Sequence, residues 1–122
     1  MSIQSENQND KKLEEAAIRF VQQIGIRSNR RGYHYLITAI VCSVRNPQLL
    51  HALTGALYPE VAEHYGITPF AVERGIRSAI ERAESEDPEK LHSVFYYKRQ
   101  KPYISELLTI AHTQISLSKT EE

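Results

Sequence analysis

This chain of 122 residues has a single cysteine, no excess of either charge sign and no long apolar run. Cys42 is the only cysteine, so no disulfide can form within one chain, and this usage fits a reducing cytosol. Because Cys42 lies in the apolar run at 40–42, we expect a buried, inert thiol. No apolar run approaches the roughly 20 residues that a membrane helix needs, and the polar, acidic N-terminus predicts no signal peptide.

Patterns that would indicate catalysis or metal binding are missing as well. The histidines are scattered, and none is spaced from another histidine or from Cys42 as metal ligands are. They stand at His34, His51, His64, His92 and His112. No glycine-rich phosphate loop and no catalytic constellation is present. The sequence therefore predicts no enzyme, no metal site and no bound cofactor.

The charges cancel in total but are unevenly spread. The chain has 15 basic and 15 acidic residues, a balance that counts against a nucleic-acid partner. From Arg27 to Arg45, however, basic residues occur without an acid, and residues 98–101 are mostly basic. A neutral sum can therefore hide a basic face, and the local field matters more than the total.

Helical periodicity dominates the chain, and neither alternating strands nor hairpin turns are indicated. We predict an all-α single domain of five to seven helices over residues 10–117, with a disordered tail at 1–9 and a frayed tail at 118–122. Helices are expected from about Asp10 to Gly25, at 31–44, at 47–57, in two segments between 58 and 84, from Asp87 to about Phe95, and from Pro102 onward. No linker or repeat divides this domain.

The segment at 58–84 predicts two helices joined by a tight turn. Pro59 suits the first turn of the first helix, in which Val61, Ala62 and Tyr65 form one buried stripe. Gly66 can take the left-handed conformation that ends this helix. Thr68 is then a candidate N-cap for the second helix.

The second helix, at about 69–84, has an apolar back and a polar front that carries arginine. Val72, Ile76 and Ile80 recur every four residues, whereas Glu73, Arg74 and Arg77 fall on the opposite side. A helix held firmly against another in this way can enter the DNA major groove. The same pattern also fits an ordinary helical hairpin with a solvated charged face.

Several blocks of this sequence resemble the C-terminal effector domain of the stage zero sporulation protein A family. They span roughly 13–117 and appear in the family's order: Ile-Gly-Ile at 24–26, Arg-Gly-Tyr-His-Tyr-Leu at 31–36, Leu-Tyr-Pro-Glu-Val-Ala at 57–62, Val-Glu-Arg-Gly-Ile-Arg at 72–77, and Lys-Pro at 101–102. The resemblance implies an all-helical domain with a helix-turn-helix that binds promoter DNA, often as tandem copies arranged head to tail.

The resemblance also implies residue roles. Glu73, Arg74 and Arg77 match the positions that contact bases, and the loop before the last helix, which touches phosphates in the family, carries Lys98, Arg99 and Lys101. We add Arg30 and Arg31 as candidate phosphate contacts because they lie in the basic segment. For all five of these basic residues, a solvated basic surface is the alternative interpretation. Glu73 has two open interpretations: it accepts a hydrogen bond from cytosine or orients an arginine on DNA, or it forms a simple intrahelical pair with Arg77.

Three features depart from the family pattern. The chain has no room for the family's receiver domain, the first helical turn at 69–71 is largely apolar where the family is more polar, and Gly75 stands inside a helix. The apolar turn could shift the DNA preference, and Gly75 could permit close packing or close approach to DNA.

The sequence leaves two candidate functions: a transcription factor on double-stranded DNA, or an interaction protein that pairs with a full-length sporulation regulator.

Overall fold

The computed structural model describes residues 2–95 and 101–121, with side chains at 10–95 and 101–117. Within these ranges the chain forms six α-helices and no strand, which confirms the predicted all-α class. The helices are α1 (Ser2–Gln23), α2 (Arg31–Arg45), α3 (Tyr58–Tyr65), α4 (Pro69–Glu86), α5 (Pro88–His92) and α6 (Ile104–Glu121).

The first and last helices are longer than expected. α1 begins at Ser2 rather than near Asp10, and α6 continues to Glu121, since neither helix contains a glycine or proline that would interrupt it. Among the side chains that the structure describes, the buried ones of α1 begin at Leu13 and those of α6 end at Ile115. None of the helices in the described ranges is long and apolar enough to cross a bilayer.

The prediction of one α-helix at 47–57 is wrong. The segment instead forms a 3₁₀ turn (Pro47–His51) and a π-helical turn (Leu53–Leu57), separated by Ala52 with φ −148° and ψ 62°. This conformation interrupts the helical hydrogen-bond ladder, and the amide of Leu57 donates to the carbonyl of Ala52 at 3.1 Å. Thr54 and Gly55 both have weak helix propensity, so local sequence does not oppose the interruption.

Helix α2 lies at the centre of the domain and packs against α1, α3, α4 and α6. Leu36, Ala39 and Ile40 of α2 are completely buried. The predicted apolar stripes of the first and last helices also reach the core, and Gly25, with φ 87°, ends α1 as expected. The central position of α2 means that its packing sets the placement of α4.

Two glycines make the crossing of α2 and α4 close. A Cβ atom at Gly32 would collide with the carbonyl oxygen of Gly75 and lie 2.7 Å from Cβ of Ala79. A Cβ atom at Gly75 would lie 2.8 Å from ring atoms of Tyr35. Gly75 costs ~1 kcal/mol relative to alanine inside a helix. Of the two roles left open by the sequence, close packing is the one that this crossing explains.

Candidate functional site

Helices α3 and α4 form the predicted helix-turn-helix. Gly66 ends α3 in the left-handed conformation, with φ 68° and ψ 37°. The Thr68 hydroxyl accepts a hydrogen bond from the amide of Ala71 at 3.1 Å and caps α4, whose first residue is Pro69. These contacts cap the end of α3 and the start of α4 and so define the turn between them.

α4 has the two faces that its sequence predicts. The inner face is completely or almost completely buried and consists of Val72, Ile76, Ala79, Ile80 and Ala83. On the outer face, Phe70, Arg74, Arg77 and Glu81 are all exposed. At 3.6 residues per turn these four positions fall within about 60° around the helix axis. We call them the outer stripe of α4.

The three predicted base-contacting residues differ in their surroundings. Arg77 donates to the Glu73 carboxylate at 2.6 Å, with side-chain exposures of 55% and 30%. This is the intrahelical pair that the sequence left as one interpretation of Glu73. Arg74 is exposed, and no hydrogen bond or ion pair joins it to another residue in the described ranges. Of the two arginines predicted to contact bases, Arg74 is therefore the one that can bind a ligand without breaking an existing pair.

A groove beside the outer stripe joins α4 to the start of α6. It is lined by Tyr58, Glu73, Arg77, Lys101 and Tyr103 among other residues. Burial raises the pKa of the Tyr58 hydroxyl, the Glu73 carboxylate raises it further, and Arg77 acts in the opposite direction. Tyr58 therefore stays a neutral hydrogen-bonding group at physiological pH. Lys101 lines the same groove as Glu73 and Arg77, two of the predicted base contacts.

The predicted phosphate contacts lie on two sides of α4. Lys101 reaches Glu81 at 3.0 Å, whereas Arg30 and Arg31 stand at the start of α2 beside the Gly32 crossing. On α4, Glu81 contacts Lys101 and Gly75 lies against Gly32, and these two positions point about 120° apart in an ideal helix. The other two predicted contacts, Lys98 and Arg99, lie outside the described residues.

Acidic partners of the basic residues are the main feature that the sequence interpretation missed. Arg30 donates to Glu86 at 3.4 Å, and Arg27 lies 3.4 Å from the same carboxylate. Lys101 is likewise held by Glu81. Of the predicted phosphate contacts in the described ranges, Arg31 alone is exposed with neither ion pair nor side-chain hydrogen bond. Because these partners are distant in sequence, no local pattern predicts the pairs.

Tyr65 differs from its predicted role in the core. The residue is 37% exposed, because its hydroxyl reaches out to α2 instead of entering the apolar layer. The hydroxyl donates to the carbonyl of His34 at 3.1 Å and lies 2.7 Å from Thr38 Oγ1. Tyr65 thereby ties α3 to α2. The helical spacing identified the correct side of α3 but not this polar contact.

Cys42 is half-buried rather than fully buried. Burial raises the pKa of its thiol to about 12, and the nearby Glu60 carboxylate contributes in the same direction. The thiol is protonated at neutral pH, and the thiolate, which is the nucleophilic form, is not populated. This agrees with the expectation of an inert cysteine.

Most of the chain matches the model of a known protein family. A family model described as the C-terminal part of the sporulation initiation factor Spo0A matches residues 17–115. The matched region takes in the helix-turn-helix, the Gly32–Gly75 crossing and the groove at Lys101.

Proposed function

We propose a mode of DNA recognition for this chain, which belongs to the family of the C-terminal domain of the sporulation initiation factor Spo0A. This family is a DNA-binding domain of a sporulation regulator. The proposal is that the chain is a sequence-specific transcription regulator that inserts α4 into the major groove. In helix-turn-helix proteins the second helix takes this position, and residues in its N-terminal part contact base edges.

The observation that carries the proposal is the exposed, unpaired guanidinium of Arg74. Its side chain is exposed on the outer stripe of α4 and free of partners in the described ranges, so no existing pair must be broken before it binds. A guanidinium can donate two parallel hydrogen bonds to guanine O6 and N7, worth about 1–3 kcal/mol of discrimination. We assign Arg74 to a guanine in the target site.

Arg77 and Glu73 would act as one unit. The carboxylate holds the guanidinium at 2.6 Å on the exposed side of the helix. An exposed pair at this spacing stabilises a helix by only about 0.3–0.5 kcal/mol, so DNA can re-orient it at little cost. Arg77 is proposed as the second base contact, with Glu73 as the group that aims it.

The remaining basic residues would bind the DNA backbone. Arg30 and Arg31 flank α4 at the start of α2, and Lys101 flanks it on the other side. Lys98 and Arg99 are assigned to the same role from the sequence alone. Contacts of this kind add affinity and fix the docking angle without reading sequence.

The experiment is fluorescence anisotropy on a duplex selected from a random pool and on a scrambled duplex. Replacing Arg74→Ala is expected to weaken binding to the selected duplex by about tenfold or more, within the ~1–3 kcal/mol of a bidentate contact. Binding to the scrambled duplex should change much less. The melting temperature should stay nearly constant, because exposed substitutions cost within about 0.5 kcal/mol.

Arg82→Ala is the matched control. Arg82 is an exposed arginine of the same helix, rotated about 80° from Arg74 around the axis. Its loss removes the same charge and should affect both duplexes about equally. An unchanged preference in Arg74→Ala, or an equal loss of preference in Arg82→Ala, would refute the assignment of Arg74.

A second candidate is an interaction protein that pairs with a full-length regulator of the same family. The observation that favours it is the neutralisation of Arg77, Arg30 and Lys101 by nearby carboxylates. Under this alternative the protein would show no salt-sensitive preference for any selected duplex. It would instead co-elute with the purified full-length regulator in size-exclusion chromatography.

A further inference from the structure

Phe70 stands exposed at the start of the outer stripe of α4. The residue is 68% exposed, although phenylalanine is among the residues most often buried. A single apolar residue on a surface needs no special explanation. Its position is what matters, because Phe70 precedes Arg74 by one helical turn on the same side of α4.

The ring is presented by a well-anchored turn. Pro69 precedes it with a restricted φ angle, and the amide of Ala71 is held by the Thr68 cap at 3.1 Å. The backbone on both sides of Phe70 is therefore constrained. A ring carried by such a segment loses little backbone entropy when a partner covers it.

We propose that Phe70 contacts the 5-methyl group of a thymine in the major groove. This inference rests on the proposed function, since it requires α4 to lie in that groove. Thymine is the base that presents an apolar group there, and phenylalanine is one of the side chains that can pack on it. The other base edges present hydrogen-bonding groups, which the ring would desolvate without compensation.

The position of the thymine relative to the base read by Arg74 follows from helix geometry. Phe70 and Arg74 are four positions apart, which corresponds to about 6 Å along the helix axis. Successive nucleotides of one strand are spaced by about 3.4 Å along the duplex axis. The thymine contacted by Phe70 should therefore lie within about two base pairs of the guanine read by Arg74.

The test replaces each thymine of the selected duplex by deoxyuridine, which removes only the methyl group. For the unaltered protein, one replacement should weaken binding about fourfold, the factor expected for one methyl group removed from water. That position should lie within about two base pairs of the one at which Arg74→Ala loses discrimination. In Phe70→Ala the same replacement should have no effect.

Two further variants separate the contact from nonspecific effects. Phe70→Leu keeps an apolar side chain and should retain part of the sensitivity to the methyl group. Leu117→Ala removes another exposed apolar side chain, which is 60% exposed on α6, and should leave the sensitivity intact. Melting temperatures of all variants verify that they are folded.

The outcomes distinguish this inference from the proposed function. If the protein prefers its duplex through Arg74 but no thymine responds to loss of its methyl group, the contact of Phe70 is refuted and the proposed function stands. If no duplex is preferred at all, the proposed function is refuted, and the contact of Phe70 with thymine is refuted with it. If Phe70→Ala leaves DNA binding unchanged and abolishes pairing with the full-length regulator, Phe70 belongs to a protein interface and the thymine contact is wrong.

Discussion

At the scale of single residues, the outer stripe of α4 separates an unpaired arginine from a paired one. Arg74 extends into solvent, whereas Arg77 is held at 2.6 Å by Glu73. The 30% exposure of the Glu73 side chain places it at the edge of the groove that contains Tyr58. A carboxylate in this position can limit the orientations of Arg77 more readily than it can reach a base itself.

Glu73→Ala tests this assignment through its coupling to Arg77. Discrimination at the base read by Arg77 should fall about three- to tenfold, part of the ~1–3 kcal/mol of an arginine contact. In the Arg77→Ala background the same change should have no further effect on discrimination. The measurement is the affinity ratio between the selected duplex and one in which that base pair is exchanged. A loss of equal size in both backgrounds would show that Glu73 reads a base directly.

At the scale of elements, the pair of glycines determines how α2 and α4 cross. A Cβ atom at Gly32 would meet backbone atoms of α4, which cannot rotate away. A Cβ atom at Gly75 would meet the ring of Tyr35, which is only partly buried and can turn. The two glycines therefore differ in how much space their neighbours can yield, although both lie at the same crossing.

Gly32→Ala should accordingly lower the free energy of unfolding by more than about 2 kcal/mol, in the upper part of the range for overpacking. Gly75→Ala should cost less, because the gain of ~1 kcal/mol in helix propensity offsets part of the clash. Gly55→Ala is the control: nothing lies within 4 Å of its added Cβ, and its φ is not positive. Urea unfolding measures all three, and equal costs at Gly32 and Gly55 would contradict a close contact between α2 and α4 at Gly32.

At the scale of the whole molecule, 15 basic and 15 acidic residues give no net charge, and several of the basic residues are paired with carboxylates near them. Lys101 and Arg30, both proposed to bind phosphates, are each held by an acid of α4. These pairs are at least partly exposed, so they add little to stability. Their larger effect is to reduce the positive field around α4, which should limit nonspecific DNA binding and leave selectivity to base contacts.

Glu81→Gln should release Lys101 and tighten binding to all duplexes. We expect a gain of about three- to tenfold near 0.1 M salt, and a salt slope steeper by up to ~0.9, as for one added phosphate contact. The control is Glu89→Gln, which removes the same charge from an exposed position on α5. Anisotropy titrations at several salt concentrations measure both. An equal gain from the two variants would indicate an effect of total charge and would exclude a specific role for Lys101.

Much of the helix-turn-helix could be predicted because its signals are local. Gly66, Thr68 and Pro69 act within one or two turns of their own position, and the Glu73–Arg77 pair is separated by a single turn. The segment at 47–57 was predicted less well, because its leucines suit a helix although the chain bends at Ala52. Its course depends on how α2 must connect to α3, which no short window of sequence contains.

The sequence by itself determined the helical class, the capped turn between α3 and α4, and which side of α4 carries arginine, because each depends on neighbours along one helix. The tertiary structure decided which of the candidate phosphate-binding residues are paired, since Arg30 meets Glu86 from 56 positions away and Lys101 meets Glu81 from 20. It also decided that Gly75 serves packing, because the atoms that exclude a side chain there belong to α2. Contacts between helices depend on the folded chain as a whole, so only the assembled domain defines them.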